Sequence, residues 1–230
     1  MKKNTTIRYS DQVEYYLNHL KKQNKAKKNK YSILGRHHNS MDSFIRNEIN
    51  KLPKNKHVLD AGCGLSAWTN SSLRNRYRIS GVDGEPDAIE ACNLLYKDDD
   101  YKVGNLYELN SKNEVYDAVV MREVIEHFIT SEKAVKEVHR ILKPGGIYIL
   151  TTPNYDSRLT SLIENTYNRF FGGPCKPYRD DVHPSKFKPD TLKKLLRKYF
   201  DVERLETIDY GITITCVARK KEKQKILPKN

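Results

Sequence analysis

The stretch Val58-Leu59-Asp60-Ala61-Gly62-Cys63-Gly64-Leu65-Ser66 decides how this chain folds. A short apolar run followed by two closely spaced glycines predicts a β-strand, a tight turn and the start of a helix. Glycines at such a turn let the backbone bend sharply, and they let a ligand approach main-chain N–H groups because no Cβ lies in the way. The helix after the turn is expected to begin with free N–H groups, which favour an electron-rich ligand.

Two acids near this turn indicate which ligand it binds. The pattern Gly62-x-Gly64-x-x-Ala67 also fits the loose fingerprint of dinucleotide-binding folds. Asp60, however, occupies a position that is normally apolar in nicotinamide-binding folds, and an acid there can accept a hydrogen bond from an ammonium group but repels a pyrophosphate. About 20 residues further on, Gly81-Val82-Asp83-Gly84 predicts a second strand ending in a carboxylate that can bind both hydroxyls of a ribose. Together the acids indicate a nucleoside with a positively charged amino-acid tail.

Strands and helices alternate regularly on both sides of the turn. Strands are predicted at about 57–61, 78–83, 101–104, 116–121 and 146–151, and helices at about 39–50, 66–76, 86–97, 131–142 and 190–199. Two last strands, near 202–209 and 212–218, are separated only by Tyr210-Gly211, so they form a hairpin and the final strand is antiparallel. The sequence therefore predicts an α/β fold with a doubly wound, mostly parallel seven-stranded sheet that ends in an antiparallel hairpin.

Over about residues 30–218 these motifs resemble the class I S-adenosylmethionine-dependent methyltransferases, and in particular the quinone-biosynthetic O-methyltransferases of the methyltransferase type 11 group. The resemblance implies a Rossmann-like fold with S-adenosylmethionine as cofactor. It implies cofactor contacts from Asp60, Gly62, Cys63, Gly64, Asp83, Gly84, Asn105, Leu106, Met121 and Arg122. Asn105 departs from the usual aspartate that meets the adenine amino group, since it keeps the acceptor oxygen and loses the charge. Arg36 is a candidate clamp for the cofactor carboxylate, with a surface role equally open.

The segment Glu123-Val124-Ile125-Glu126-His127 follows the fourth predicted strand. Its two glutamates and histidine are spaced i, i+3, i+4, which predicts that all three lie on one side of a helical turn. The segment resembles the E-x-x-E-H stretch of quinone-biosynthetic and small-RNA 2′-O-methyltransferases, which implies a divalent-cation site at Glu123, Glu126 and His127, with Mg²⁺ as the candidate ion. Alternatively, Glu126 and His127 brace the wall of the site by hydrogen bonds, or His127 is a general base, because imidazole titrates near neutral pH.

A second group of candidate residues follows the fifth predicted strand. Thr151-Thr152-Pro153-Asn154 resembles the S/T-x-P-N loop of the same enzymes and is expected at the ligand-binding edge of the sheet. Residues 155–188 then interrupt the alternation with aromatic and basic residues, which predicts a cap over the acceptor site that favours an anionic substrate. His183-Pro184-x-x-Phe187 resembles a segment near the acceptor in relatives, so His183 is a second candidate base. A turn packed by Pro184 and Phe187 is the alternative.

Most of the net charge of +13 comes from the two ends of the chain. Residues 21–30 hold six lysines and no acid, and residues 219–230 hold six basic residues and one acid. We predict that residues 1–30 form a basic N-terminal segment, with an amphipathic helix over 5–20 and a mobile linker at the lysine run. A methyltransferase domain over 31–218 and a basic tail over 219–230 are predicted to follow. The ends are either solvated segments or an anchor for RNA, phosphate or anionic lipid.

Composition limits where the protein works. The four cysteines, Cys63, Cys92, Cys175 and Cys216, form no C-x-x-C pair, which predicts reduced thiols and a cytoplasmic protein. No apolar run approaches the roughly 20 residues of a membrane span, and Met1-Lys2-Lys3 is not followed by the apolar stretch of a secretory signal. We therefore expect no integral membrane segment.

The sequence predicts an enzyme that methylates oxygen, or next nitrogen, on a small or lipid-linked anionic acceptor. RNA 2′-O-methylation is an alternative that would use the basic ends, the E-x-x-E-H ligands and a further histidine, for which His183 is the candidate. A nicotinamide-dependent oxidoreductase and a non-catalytic nucleoside-binding module are the alternatives outside methylation. The sequence does not specify the oligomeric state.

Overall fold

A seven-stranded sheet organises the part of the chain that the computed structural model describes, which is residues 11–29, 32–66, 68–163 and 183–222. The strands are β1 (His57–Ala61), β2 (Arg78–Asp83), β3 (Asp100–Val103), β4 (Tyr116–Arg122), β5 (Leu142–Pro153), β6 (Phe200–Ile208) and β7 (Thr213–Lys220). Their order across the sheet is β3-β2-β1-β4-β5-β7-β6. The first five strands are parallel, and β7 is antiparallel to both β5 and β6. This confirms the predicted doubly wound sheet and its final hairpin.

Helices cover both faces of the sheet. Within the described ranges they are α1 (Asp11–Lys28), α2 (Ile33–Ile49), α3 (Ser71–Arg74), α4 (Pro86–Leu95), α5 (Ser131–Ile141), α6 (Arg158–Ile163) and α7 (Pro189–Leu196), with a 3₁₀ turn at Ile125–His127. Ile45 and Ile49 of α2 pack into the core on one face, and Val138 of α5 and Leu192 of α7 pack into the core on the other. None of these helices has the length and apolar content to span a bilayer.

The sheet reverses its winding between β1 and β4. Strand β1 pairs in parallel with β2 on one side and with β4 on the other, so the connections leave this point in opposite directions. Open α/β sheets bind ligands at such a switch point, beyond the carboxyl ends of the strands. We call the end of the sheet at the carboxyl ends of the parallel strands the carboxyl edge, and the end at their amino ends the amino edge. The glycine turn at 62–64 follows β1 and therefore lies at the switch point on the carboxyl edge.

The described part of the lysine-rich segment, residues 21–29, does not form the linker that we predicted. Helix α1 continues through it to Lys28, because lysine is a good helix former and because both ends of the helix contact the rest of the protein. Val13 and Leu17 pack with Leu65 beside the glycine turn, and Lys27 forms an ion pair with the buried Asp42 of α2. Residues 5–10 of the predicted helix lie outside the described residues.

The helix after the glycine turn is shorter than predicted. Instead of running over 66–76 it spans only Ser71–Arg74. Ser66 takes a left-handed backbone conformation with φ of 50°, and the Trp68 side chain is almost fully buried. This backbone conformation and the burial of Trp68 are incompatible with an α-helix that begins at residue 66. Asn70 then caps α3 by accepting a hydrogen bond from the main-chain N–H of Leu73.

Gly35 is required where α1 and α2 cross. A Cβ added at this position would lie 2.1 Å from the main-chain oxygen of Ala26. We expect Gly35→Ala to lower the free energy of unfolding by about 1–3 kcal/mol, because the contact is with backbone and the helices must separate. Urea unfolding measures this loss. Gly84→Ala is the matched control, since its added Cβ would meet no atom within 4 Å. Equal unfolding midpoints for the two variants would contradict this account of the crossing.

Candidate functional site

The main-chain N–H groups of the glycine turn are occupied within the protein. The N–H groups of Gly62 and Cys63 donate to the carbonyl oxygen of Val82 at 2.8 and 3.1 Å. The N–H of Gly64 donates to Oδ2 of Asp83 at 2.7 Å. The expectation that a helix start here offers free N–H groups was wrong, because the next helix begins only at Ser71. The main-chain N–H groups of Gly62, Cys63 and Gly64 are therefore not available to hold a pyrophosphate, which favours a nucleoside ligand over a dinucleotide.

Asp83 holds the glycine turn and the start of α4 together. Its Oδ1 accepts a hydrogen bond from the N–H of Glu85 at 3.0 Å, while its Oδ2 binds Gly64. A Cβ added at Gly64 or Gly84 would meet no atom within 4 Å, so both glycines adjoin open space. A carboxylate at the end of the second strand beside bare backbone fits the ribose of a nucleoside.

Asp60 is buried beneath the turn, with only 1% of its surface exposed. Its Oδ2 accepts a hydrogen bond from the Ser66 hydroxyl at 2.8 Å, and the Tyr101 hydroxyl donates to Ser66 in turn at 3.0 Å. Burial raises the pKa of the Asp60 carboxyl to about 6, and the nearby Asp83 charge adds to the increase. An ammonium group bound at this carboxylate would favour its ionised form.

Asp60→Asn should stabilise the protein, and more so at pH 7.5 than at pH 5. The pKa of about 6 in the folded protein lies above that of an aspartate in an unfolded chain, so the folded state binds this proton first as the pH falls. Ionised Asp60 therefore destabilises the fold above pH 6, and this penalty fades towards pH 4. We expect the benefit of the variant to be larger at pH 7.5 than at pH 5 by about 1 kcal/mol, measured by urea unfolding. An identical benefit at both pH values would contradict this assignment.

The remaining predicted cofactor residues differ in how they meet the site. Oδ1 of Asn105 accepts a hydrogen bond from the N–H of Tyr107 at 2.9 Å, so a turn of its own backbone orients the amide. The side chains of Leu106 and Met121 lie in the core, and the Tyr148 hydroxyl donates to the Met121 sulfur at 2.9 Å. The predicted cofactor contact of Met121 therefore depends on its main chain. Cys63 packs in a small buried cluster with Cys92.

Arg122 is held by α2. Its Nε lies 3.0 Å from Oδ1 of Asp42, and its guanidinium lies 2.7 Å from Nδ1 of His38. Asp42 is 1% exposed and also pairs with Lys27, so it joins α1 and α2 to the end of β4. Sequence reasoning missed Asp42, because a lone acid on a helix face gives no signal of a buried partner. Arg36 is exposed.

Glu126, His127 and His183 form a cluster at the carboxyl edge. One potential ligand atom from each lies within 4.8 Å of the others, and the two imidazole centroids are 4.8 Å apart. The predicted placement of Glu123 on the same helical turn was wrong: the turn is a 3₁₀ turn over Ile125–His127, and Glu123 precedes it with φ of 55°. The cluster thus joins the E-x-x-E-H stretch to the second candidate base.

Hydrogen bonds from three segments assemble this cluster. The N–H of Ser185 donates to the carbonyl oxygen of Glu126 at 3.1 Å, which brings residues 183–188 against the 3₁₀ turn. The Tyr155 hydroxyl lies 2.6 Å from Nδ1 of His183, and the Thr152 hydroxyl donates to Oε2 of Glu126 at 2.9 Å. Sequence reasoning missed the roles of Tyr155 and Thr152, although the Thr-Thr-Pro-Asn loop that precedes Tyr155 was a signal.

Two buried carboxyls give this part of the site its electrostatic character. Burial raises the pKa of Glu126, and the neighbouring Glu123 raises it further. Burial also raises the pKa of Glu123, against a hydrogen bond with Thr151 and the charges of His37, Arg122 and His183. Buried carboxylates are costly unless a cation or proton offsets them. The arrangement therefore favours positive charge at the carboxyl edge.

The predicted cap falls largely outside the described residues. Of residues 155–188, the structure describes 155–163 and 183–188, and most of the aromatic and basic residues of the prediction lie between them. The two described ends are joined, because the N–H of Tyr155 donates to the carbonyl oxygen of Phe187 at 2.9 Å. Phe187 itself is buried in the core. The cap stays a prediction.

Comparison with known proteins identifies methyltransferases among the relatives of this chain. A family model described as a methyltransferase domain matches residues 35–201. A probable S-adenosylmethionine-dependent methyltransferase of Mycolicibacterium smegmatis is 34% identical over 97 residues, which are 42% of this chain and 38% of that protein. The ubiquinone biosynthesis O-methyltransferase of Rattus norvegicus is 34% identical over 105 residues, or 42% of this chain and 30% of that protein. The chain thus matches well under half the length of these relatives.

Solved structures share the fold at low identity. The PH0226 protein of Pyrococcus horikoshii superposes with a TM-score of 0.63 and 18% identity, covering 80% of this chain and 91% of that one. The cyclase SpnF gives a TM-score of 0.67 and 15% identity over 93% and 94% of the two chains. Because one of these neighbours is a cyclase, the fold by itself does not specify the reaction. The family model covers more than half of the chain, and the fold agrees with it, so this chain belongs to the methyltransferase domain family, among the class I S-adenosylmethionine-dependent methyltransferases.

Proposed function

We propose that this chain transfers the methyl group of S-adenosylmethionine to a hydroxyl oxygen of a small or lipid-linked, anionic acceptor. The observation that carries the proposal is the group of Glu126, His127 and His183 at the same edge of the sheet as the glycine turn. Val124 links the two places, since a Cβ added at Gly62 would lie 2.6 Å from its methyl groups. An imidazole beside the glycine turn can supply the base that deprotonation of a hydroxyl acceptor requires.

The cofactor supplies an electrophilic methyl group on a positively charged sulfur. The chain itself must hold donor and acceptor in line, exclude water and accept the proton that the acceptor loses. In our proposal Asp83 binds the ribose hydroxyls, and Asp60 lies beneath the turn, where it favours the ammonium end of the amino-acid tail. Asn105 offers its amide oxygen to the adenine amino group.

His183 is the candidate that we favour for the base. Its Nδ1 lies 2.6 Å from the Tyr155 hydroxyl, which fixes the orientation of the ring. The other nitrogen, Nε2, would then accept the proton of an acceptor hydroxyl. His183 is only 6% exposed, whereas His127 is exposed, so His183 is better shielded from water. Tyr155 is a positioning residue in this scheme.

The same three side chains fit a divalent cation. Glu126 would supply an oxygen, and His127 and His183 would each supply an imidazole nitrogen. Two imidazoles with one carboxylate suit Mn²⁺, Fe²⁺ or Zn²⁺ better than Mg²⁺, which prefers oxygen ligands. A cation there would offset the buried carboxyls and lower the pKa of an acceptor hydroxyl. We therefore propose these ions as candidates in place of Mg²⁺. Glu123 is no longer proposed as a ligand, because His183 takes its place in the cluster.

Transfer of labelled methyl groups tests this proposal. The protein is incubated with methyl-labelled S-adenosylmethionine and fractionated cell extract, and label is followed into lipids, small anions, RNA and protein. We expect label in the lipid or small-anion fraction, and at least about 100-fold slower labelling with His183→Ala. Absence of label from every fraction, with cofactor binding intact, would contradict the proposed activity.

RNA 2′-O-methylation is the second candidate, and one observation favours it. The small-RNA methyltransferases, whose E-x-x-E-H stretch this segment resembles, place a further histidine with the metal. In this chain His183 lies beside His127. Label that enters only RNA in the same experiment would select this candidate over the first.

A further inference from the structure

The carboxyl edge of the sheet carries nearly all of the exposed large apolar side chains among the described residues. These are Leu34, Val103, Ile129, Leu159, Leu162 and Tyr210, and only Leu95 lies at the amino edge. Ile129 and Tyr210 are 84% and 93% exposed. Single exposed apolar residues are normal on protein surfaces, but their concentration on one side is typical of an interaction site.

Three of these side chains belong to two neighbouring elements. Leu159 and Leu162 are three residues apart on α6, so they share one face of that helix. Tyr210 lies at the tip of the β6–β7 hairpin. The two elements are in contact, because the Thr160 hydroxyl donates to the carbonyl oxygen of Ile212 at 3.4 Å. The exposed apolar side chains of α6 and the hairpin tip therefore belong to one part of the carboxyl edge.

A basic helix lies on the same edge. Helix α1 runs from the glycine turn, where Val13 packs against Leu65, to the end of β4, where Lys27 and Arg122 share Asp42. Residues 21–28 contain five lysines and no acid. Lys21, Lys25 and Lys28 are exposed and spaced i, i+4, i+7, so they form one face of the helix.

We propose that this edge docks onto an anionic lipid bilayer. The lysine face of α1 (Lys21, Lys25, Lys28) would contact lipid phosphates, and the apolar group (Leu159, Leu162, Tyr210) would enter the interfacial layer. Basic residues beside exposed aliphatic and aromatic side chains are the combination that binds proteins to anionic membrane surfaces. The aliphatic side chains disfavour RNA as the partner, because nucleic-acid surfaces combine cations with base-stacking aromatics. Docking does not depend on cofactor binding or methyl transfer, so either proposal can fail alone.

Vesicle sedimentation tests the proposal on the full chain. The protein is mixed with vesicles of phosphatidylcholine alone, or of equal parts phosphatidylcholine and phosphatidylglycerol. We expect binding to the anionic vesicles only, and weaker binding at high salt. In the lysine variant Lys21, Lys25 and Lys28 are each replaced by glutamate. We expect it to bind at least about 100-fold more weakly, since each lysine near such a surface contributes roughly a factor of five.

Two further variants make the test specific. The first, Lys54→Glu, Lys97→Glu and Lys112→Glu, changes exposed lysines before β1, β3 and β4 at the amino edge. Like the lysine variant, it lowers the formal net charge from +13 to +7, because each Lys→Glu change removes two charges. It should nevertheless bind vesicles nearly as the wild type does. The second replaces the three apolar side chains by serine and should bind at least about 10-fold more weakly. Circular dichroism checks that each variant is folded.

Several results would overturn the proposal. One is a wild type that fails to sediment with anionic vesicles or binds neutral ones equally well. Another is an amino-edge variant that loses as much affinity as the lysine variant, which would implicate net charge instead of this surface. Unchanged vesicle binding by the serine variant would exclude apolar insertion. Binding of a single-stranded RNA oligonucleotide that depends on the α1 lysines, without vesicle binding, would assign the surface to RNA.

Discussion

Replacing Asp83 by alanine should weaken S-adenosylmethionine binding by about 100-fold or more. The variant removes a carboxylate that would accept hydrogen bonds from two ribose hydroxyls, and hydrogen bonds to a charged group contribute about 1.5–3 kcal/mol each. It also removes the brace that accepts hydrogen bonds from the N–H groups of Gly64 and Glu85. Isothermal titration calorimetry measures the affinity directly.

A second substitution separates these two roles. Asp83→Asn keeps one side-chain oxygen for the N–H of Gly64 but lacks the charge, so its affinity should fall between the wild type and Asp83→Ala. Asp98→Ala, an exposed acid at the amino edge, should bind the cofactor as the wild type does. An affinity for Asp83→Ala within threefold of the wild type would contradict the placement of the ribose.

Replacing His183 by alanine should lower kcat by about 100-fold to 10,000-fold, the range that general bases contribute. The side chain is buried and its ring is oriented by Tyr155. Because the imidazole would take the acceptor proton after the cofactor has bound, the affinity for S-adenosylmethionine should change little. Methyl transfer in the fraction that accepts label measures the loss. Activity within threefold of the wild type would contradict a role for His183 in catalysis.

Metal removal distinguishes a base from a ligand at this site. If Glu126, His127 and His183 hold a cation, chelation should abolish transfer and Mn²⁺ should restore it. Calorimetric Mn²⁺ binding should also be lost in His127→Ala and Glu126→Gln, which reads out the site without activity. If His183 acts only as a base, chelation has no effect and Tyr155→Phe alters the pH profile of kcat. His139→Ala is the matched control, since His139 lies on α5, away from this cluster.

The sheet was predictable from the sequence because its strands correspond to short runs of apolar residues. The observed bounds of β1 and β2 equal the predicted 57–61 and 78–83, since both are short buried segments between polar turns. Helix extents were predicted less well, because they depend on tertiary contacts. Burial of Trp68 shortened α3, and the ion pair of Lys27 with Asp42 accompanies the extension of α1 through the lysine run.

The site was predictable where a motif is local and not where partners are distant in sequence. Asp83 and the glycine turn lie together because they follow β1 and β2, two neighbouring parallel strands whose carboxyl ends meet. His183 lies 56 positions after His127, and nothing in the sequence shows that Ser185 binds the main chain of Glu126. Helical spacing suggested Glu123 as a ligand, but its left-handed backbone removes it from the turn. Asp42 gave no signal at all.

The measurement that tests the central claim most directly is titration of S-adenosylmethionine and of NADH into the wild type and into an Asp60→Ala, Asp83→Ala double variant. We predict that S-adenosylmethionine binds the wild type, that this binding is lost in the double variant, and that NADH gives no binding heat with either protein. Tight NADH binding without a response to S-adenosylmethionine, or an unchanged affinity in the double variant, would contradict the claim that the turn between these two acids holds the cofactor.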